Sequence, residues 1–151
     1  SAKRWPADRY AQVALNLLAE GHRVVLVGGP GEADDCAHIA AAQPTAYAAR
    51  VTNLAGQVKL GESLDIIGHA RAVVANDSGL MHVAAAMGVP LVGVFGPTSP
   101  DHTPPLSDRA EVVWTRPACA PCFKRVCPLA HHQCMMDLKP EQVLAALGRV
   151  A

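Results

Sequence analysis

The sequence predicts an α/β fold in which parallel strands are flanked by helices. Short strand-like runs at 24–27, 51–54, 72–75 and 91–95 each end near glycine or polar turn residues, and segments of helical periodicity lie between them. Strands alternating with helices in this way build βαβ units, with right-handed crossovers and a parallel sheet. Apolar residues make up 50% of the chain but aromatics only 4%, so the core must be aliphatic and alanine-rich. The length, 151 residues, suits one domain with a sizeable core.

Pro6 opens the first helix, because its fixed φ suits a first helical turn. Tyr10, Val13, Ala14, Leu17 and Leu18 then recur at helical spacing, and Gly21 ends the run. Residues 24–27 are continuously aliphatic, as a buried parallel strand should be. They close in Gly28-Gly29-Pro30-Gly31, and a helical pattern follows through Ala42. Residues 51–54 form a short strand that ends near Gly56, and a helix over 63–70 turns Leu64, Ile66 and Ile67 inward. The strand over 72–75 leads into Asn76-Asp77-Ser78-Gly79-Leu80-Met81-His82. The helix beyond it is expected to bury Leu80, Val83, Ala84 and Met87 before Gly88 stops it. Residues 91–95 form another buried strand, ended by Gly96-Pro97, and 111–114 read as one more. A loop rich in cysteine and proline follows, and Pro140 opens a last helix to about Leu147.

Thirteen basic residues balance thirteen acidic ones. A net charge of zero argues against a broad surface for nucleic acid or anionic membrane. No apolar run approaches the roughly 20 residues of a membrane span. No signal peptide is evident, so a cytoplasmic location is expected. Lys3-Arg4-Trp5-Pro6 reads as mid-protein sequence entering a helix, as in a domain taken from a longer chain.

Ligands on parallel sheets sit beyond the carboxyl ends of the strands. Three stretches fall there: 28–32, 76–82 and 96–105. In the second, Asp77, Ser78, Gly79 and His82 crowd a turn and the first turn of a helix. Unpaired N–H groups at a helix start favour an anion, and glycine lets a ligand approach the backbone. Asp77 or Ser78 could equally serve only as an N-cap, and His82 as a structural imidazole. Gly28-Gly29-Pro30-Gly31-Glu32 matches neither the dinucleotide fingerprint nor the Walker loop. It is either a tight turn or a site where Glu32 accepts from two vicinal ribose hydroxyls. Lys3 is either an ordinary solvated lysine or a cation aimed at a phosphate. Four prolines in 96–105 stiffen a polar loop that either connects elements or shapes a site.

Cys119, Cys122, Cys127 and Cys134 fall within sixteen residues, with His131 and His132 between them. Short spacings of this kind suit a zinc or iron–sulfur loop, disulfides, or reduced packing thiols. All three states stay open, and no residue is assigned to a metal. Cys36, on a helical segment, reads as a small buried hydrophobe.

The run 76–86, then Pro90-Leu91-Val92, then Phe95-Gly96-Pro97-Thr98-Ser99-Pro100 strongly resemble the lipopolysaccharide heptosyltransferases, glycosyltransferase family 9. Lys3-x-Trp5-Pro6 is similar to the start of that family's second domain. Pro104-Pro105-Leu106-Ser107 and the cysteine stretch resemble its type II branch. The resemblance covers essentially the whole chain. It implies a GT-B enzyme of two Rossmann-like domains, with 1–151 as the single C-terminal, donor-binding domain. The N-terminal domain, with the acceptor site and the base, would be absent from this chain, which alone is expected to be inactive and to hold no catalytic residue. The implied reaction is inverting and metal-independent, with no cofactor. It moves heptose from ADP-heptose to the inner core of lipopolysaccharide, and the full-length enzyme would be compatible with peripheral membrane association. Matching the family motif, Lys3, Asp77, Ser78, Gly79 and His82 would hold the donor sugar and pyrophosphate. Glu32 would take the ribose, and Val58 with Leu60 the adenine. Another GT-B nucleotide-sugar transferase or epimerase, or a nucleotide-binding module without catalysis, are the alternatives.

Overall fold

The computed structural model describes residues 1–151. The chain divides into two compact units, Pro6–Asp65 and a second made of Ser1–Trp5 with Ile66–Ala151.

In the first unit, α1 (Ala7–Ala19) follows Pro6 at its N-cap and ends at Gly21, whose φ of +95° supplies the left-handed turn expected of glycine. Strands β1 (Val24–Leu26) and β2 (Val51–Asn53) pair in parallel, with Val24 opposite Val51. A single 3₁₀ turn (Pro30–Glu32) and α2 (Ala33–Ala41) follow β1. Ala11, Ala14 and Ile39 bury together against Tyr10, Val24 and Leu26. Cys36 is buried on α2, and burial raises its thiol pKa, with Asp35 and Glu32 adding to the effect. It behaves as the small hydrophobe its position suggested. A 3₁₀ segment over Thr45–Arg50, after Pro44, is not evident from the periodicity. Helix α3 (Leu60–Gly68) begins three residues before the expected 63.

In the second unit β3 (Val73–Asn76), β4 (Leu91–Phe95) and β5 (Ala110–Trp114) form a parallel sheet in that order. β4 lies in the middle, and all five of its residues are buried, which is why the run carries no polar side chain. Gly93 interrupts that run for a steric reason. A Cβ there would stand 2.9 Å from Met81 Sδ and 3.2 Å from a Phe95 ring carbon. Helix α4 (Gly79–Ala86) buries Met81, Ala84 and Ala85, which cluster with Ile67, Leu91 and Phe95. This differs from the expected face: Leu80 and Val83 are half-buried, and Met87, at the C-cap, is 48% exposed. The helix begins at Gly79, so its first inward position is Met81, and the i, i+3, i+4 stripe continues from there. A short helix α5 (Gln133–Met136) lies inside the cysteine-rich stretch, and α6 (Pro140–Val150) closes the chain.

The α/β class and the parallel strand direction agree with the sequence. The hydrogen-bonded ladders form a pair and a triplet rather than one continuous ladder, each within its own unit. No helix is long and apolar enough to cross a membrane.

Candidate functional site

The site grows from the carboxyl ends of β3 and β4, where ligands of parallel sheets are held. β3 ends at Asn76, and the Asp77 N–H still donates to Val94 O at 3.1 Å, so Asp77 leaves the sheet with its backbone fixed. Its carboxylate is nearly buried, with 6% of the side chain exposed. A buried carboxylate must be paired or hydrogen-bonded, and here both are satisfied on one oxygen. Lys3 Nζ lies 3.0 Å from Asp77 Oδ2, and Thr98 Oγ donates to the same oxygen at 2.7 Å. The other oxygen, Oδ1, faces His82 Nε2 at 3.9 Å, beyond hydrogen-bond distance. One carboxylate oxygen is thus saturated by the protein, and the other is directed toward an exposed imidazole and solvent.

Lys3 is held there by its neighbours in sequence. Trp5 is 2% exposed; its indole N–H donates to Leu138 O at 3.1 Å and its backbone N–H to Asn76 Oδ1, also at 3.1 Å. On the other side the buried Ala2 donates to Arg125 O at 2.9 Å. The Lys3 side chain stays 44% exposed, and only one of its three donors is used by Asp77. Lys3 also lines an open cleft of about 400 Å³ with Ser1, Phe123, Lys124 and Arg125. Three cations at one mouth favour an anionic ligand, and the volume is in the range of small-molecule sites.

Ser78 occupies the N-cap of α4 with extended backbone, φ −153° and ψ 169°, but its hydroxyl makes no capping hydrogen bond. The N-cap reading therefore holds for position and fails for chemistry. The exposed Ser78 hydroxyl and Gly79 sit at the positive end of a helix whose first N–H groups have no intrahelical acceptor. His82 is exposed on the same helix, one turn on.

Among the predicted residues, the structure brings Lys3, Asp77, Ser78, Gly79 and His82 to one place. Glu32, Val58 and Leu60 belong to the unit of residues 6–65. There Glu32 is exposed, and its Oε2 accepts the Gly29 N–H at 2.8 Å, which closes the glycine turn. Gly28 has to be glycine, because a Cβ would stand 2.9 Å from Glu32 Cβ. Gly56 N–H donates to Gly28 O, so the turns after β1 and β2 adjoin. Val58 is half-buried, and Leu60 opens α3 at 69% exposure.

Sequence reasoning did not foresee the direct bond from Thr98 to Asp77, or the cations Lys124 and Arg125 beside Lys3. The signal for Thr98 was the Gly96-Pro97-Thr98 turn after a buried strand. Thr98 is 7% exposed, and a hydrogen bond to a charged group contributes about 1.5–3 kcal/mol. Thr98→Val is expected to lower stability by about that amount, read from urea unfolding; an unchanged midpoint would show that the bond contributes nothing.

The fold and site define a class: an open α/β protein whose ligand edge pairs an anion-favouring helix start and a lysine with a half-satisfied carboxylate, as needed for a charged, hydroxylated ligand. A family model, glycosyltransferase family 9 (heptosyltransferase), matches residues 1–133. Lipopolysaccharide heptosyltransferase 2 of Escherichia coli K12 is 42% identical over 147 residues, covering 97% of this chain and 42% of that protein. Lipooligosaccharide heptosyltransferase 2 of Haemophilus influenzae is 39% identical over 150 residues, covering 99% of this chain and 43% of that protein. The solved structure of E. coli ADP-heptose LPS heptosyltransferase II matches with a TM-score of 0.85 at 41% identity, over 99% of this chain and 42% of that one. The chain belongs to glycosyltransferase family 9, the heptosyltransferases. It spans about 42% of the length of the E. coli relative.

Proposed function

We propose that this chain is the donor-binding half of an inverting heptosyltransferase, which moves heptose from ADP-heptose to a sugar hydroxyl of the lipopolysaccharide inner core. The observation that carries this reading is the split environment of Asp77, with Oδ2 held by Lys3 and Thr98 and Oδ1 open toward His82. A carboxylate so fixed can accept from a sugar hydroxyl without reorganising.

In the reaction an acceptor hydroxyl attacks the anomeric carbon from the face opposite the nucleotide. The bond from that carbon to the pyrophosphate oxygen breaks, ADP departs with the bonding electron pair, and the hydroxyl proton passes to a base. That base and the acceptor are assigned to the half of the enzyme outside this chain. The part played here is electrostatic. Charge develops on the departing pyrophosphate, and donors already in place stabilise it most where water is excluded. Lys3, the Ser78 hydroxyl and the N–H groups at the start of α4 take that role. His82 forms the floor of the phosphate site. From the family resemblance, Glu32 takes the ribose hydroxyls, and Val58 with Leu60 the adenine. A cytoplasmic location fits a nucleotide-sugar donor.

The test compares ADP-heptose, ADP, UDP and GDP as ligands of the full-length protein. ADP-heptose is expected to bind most tightly and UDP and GDP weakly. Asp77→Ala is expected to lose roughly 10- to 100-fold of the preference for ADP-heptose over ADP, the loss of one hydrogen bond to a charged group. An unchanged preference in that variant would remove Asp77 from the sugar site.

A further inference from the structure

The sheet of the second unit runs β3-β4-β5, and each strand sends a different segment onward from its carboxyl end. The Asp77 turn and the start of α4 follow β3, and Thr98 follows β4. The stretch after β5 supplies Phe123, Lys124 and Arg125, which line the cleft of about 400 Å³ together with Ser1 and Lys3. That cleft shares only Lys3 with the group built on Asp77; no residue of α4 lines it.

The cations of the cleft are unopposed. The chain as a whole is neutral, yet no aspartate or glutamate occurs between Glu111 and Asp137, a stretch that holds Arg116, Lys124 and Arg125. Lys124 and Arg125 are exposed. The Asp77 carboxylate is already matched by Lys3 and Thr98. Like charges gathered at one mouth repel, and an anion between them turns repulsion into attraction.

Backbone contacts hold the group in shape. The N–H groups of Cys122 and Phe123 both donate to Pro97 O, at 3.0 and 2.8 Å, and Arg125 O accepts the Ala2 N–H at 2.9 Å. Phe123 has a φ of +56°, a left-handed conformation that a bulky residue keeps only where its surroundings impose it. Its ring leans on the His102 ring, with centroids 5.3 Å apart, and still stays 51% exposed. An exposed aromatic ring offers apolar area to the C–H face of a sugar, and the cations beside it offer charge-assisted hydrogen bonds to an acid group.

We infer that this cleft is a subsite for an acidic sugar of the acceptor, with Lys124 and Arg125 holding its phosphate or carboxylate and Phe123 packing on its ring. The identity of that second substrate rests on the transferase reading above. The start of α4 serves the donor diphosphate, so an anion in the cleft is a second one. Lys3, with one N–H on Asp77 and two to spare, stands between the two. The acceptor is thus gripped in part by this half of the enzyme.

The test uses the full-length protein with ADP-heptose and a lipid-free inner-core saccharide as acceptor. Replacing both cations, Lys124→Ala with Arg125→Ala, is expected to raise the acceptor KM about 10- to 100-fold, the loss of hydrogen bonds to a charged group. The kcat at saturating acceptor and the donor KM should stay within about twofold of wild type. Lys124→Arg with Arg125→Lys keeps both charges and should restore most of the acceptor affinity. An unchanged acceptor KM in the alanine variant would overturn the subsite. A rise confined to the donor KM would also overturn it, by moving the cations to the donor diphosphate.

A second arm needs no turnover: ADP-saturated protein is titrated with inorganic pyrophosphate by calorimetry. Wild type is expected to bind it, and the alanine variant to bind at least about tenfold more weakly. Equal binding by the two proteins, or none by wild type, would count against a second anion site. Failure of the heptosyltransferase reading looks different. Wild type would then not prefer ADP over UDP and GDP, whereas failure of the subsite leaves that preference intact and shows only in the variant.

Discussion

Under the proposed donor-binding role, Lys3→Ala in the full-length protein is expected to lower kcat about 10²- to 10³-fold, the usual loss when one donor to developing negative charge is removed. The ammonium is seated by Trp5 and Ala2, whose hydrogen bonds do not depend on the lysine side chain. The substitution therefore removes a charge and leaves the backbone in place. Its effect on stability should stay modest, because Thr98 Oγ still donates to the Asp77 oxygen that the lysine leaves, at 2.7 Å, and the 44% exposed Lys3 side chain is screened by solvent. A large loss of turnover with a nearly unchanged melting temperature would separate chemistry from folding. Lys3→Arg keeps the charge but replaces a compact ammonium with a planar fork, and an intermediate rate is expected. Turnover of Lys3→Ala close to wild type would remove the lysine from the charge-stabilising role.

Phe95→Ala is expected to lower stability by about 3–5 kcal/mol, which can be read from denaturant unfolding. Phe95 is fully buried at the end of the central strand β4, in register with Trp114 of β5 and clustered with Met81 and Leu91. The surroundings have little freedom to collapse into the space left. The Met81 side chain already fills the space beside Gly93, where an added Cβ would stand 2.9 Å from its sulfur, and Trp114 is tethered by its indole N–H to Gly96 O at 3.0 Å. A domain stabilised by about 5–15 kcal/mol would lose a large share of its margin. The loss should extend to ligand binding, because Phe95 leads directly into Gly96-Pro97-Thr98. A cost below about 1 kcal/mol would mean that the site repacks in a way this geometry does not allow.

The parallel strands were legible because burial on both sides leaves a run without polar side chains, as in 91–95. The Asp77 turn was legible because strand, polar turn and helix succeed one another within a dozen residues. Other features lay beyond sequence patterns for identifiable reasons. Helix α5 has only four residues and starts after a left-handed His132, so it leaves no periodicity to detect. The buried face of α4 shifted by one position because it depends on where the helix begins. The bond between Thr98 and Asp77 joins residues 21 apart and is set by the register of β3 on β4, where Asn76 lies opposite Val94. Lys3 and Asp77 are 74 residues apart and meet through the seats of Trp5 and Ala2.

That seat also sets an order of assembly. Trp5 bonds to Leu138, 133 residues further along the chain. During synthesis the amino-terminal end emerges first, but the slot that receives its indole exists only once the β5–α6 region has been made. Lys3 is thus among the first residues of this segment to be translated and among the last to be seated. The entropy of closing so long a loop must be offset by contacts that form late. A chain interrupted before Leu138 would have the carboxylate, the helix start and Thr98 but a lysine segment without its indole anchor, so the proposed donor site would be complete only near the end of folding.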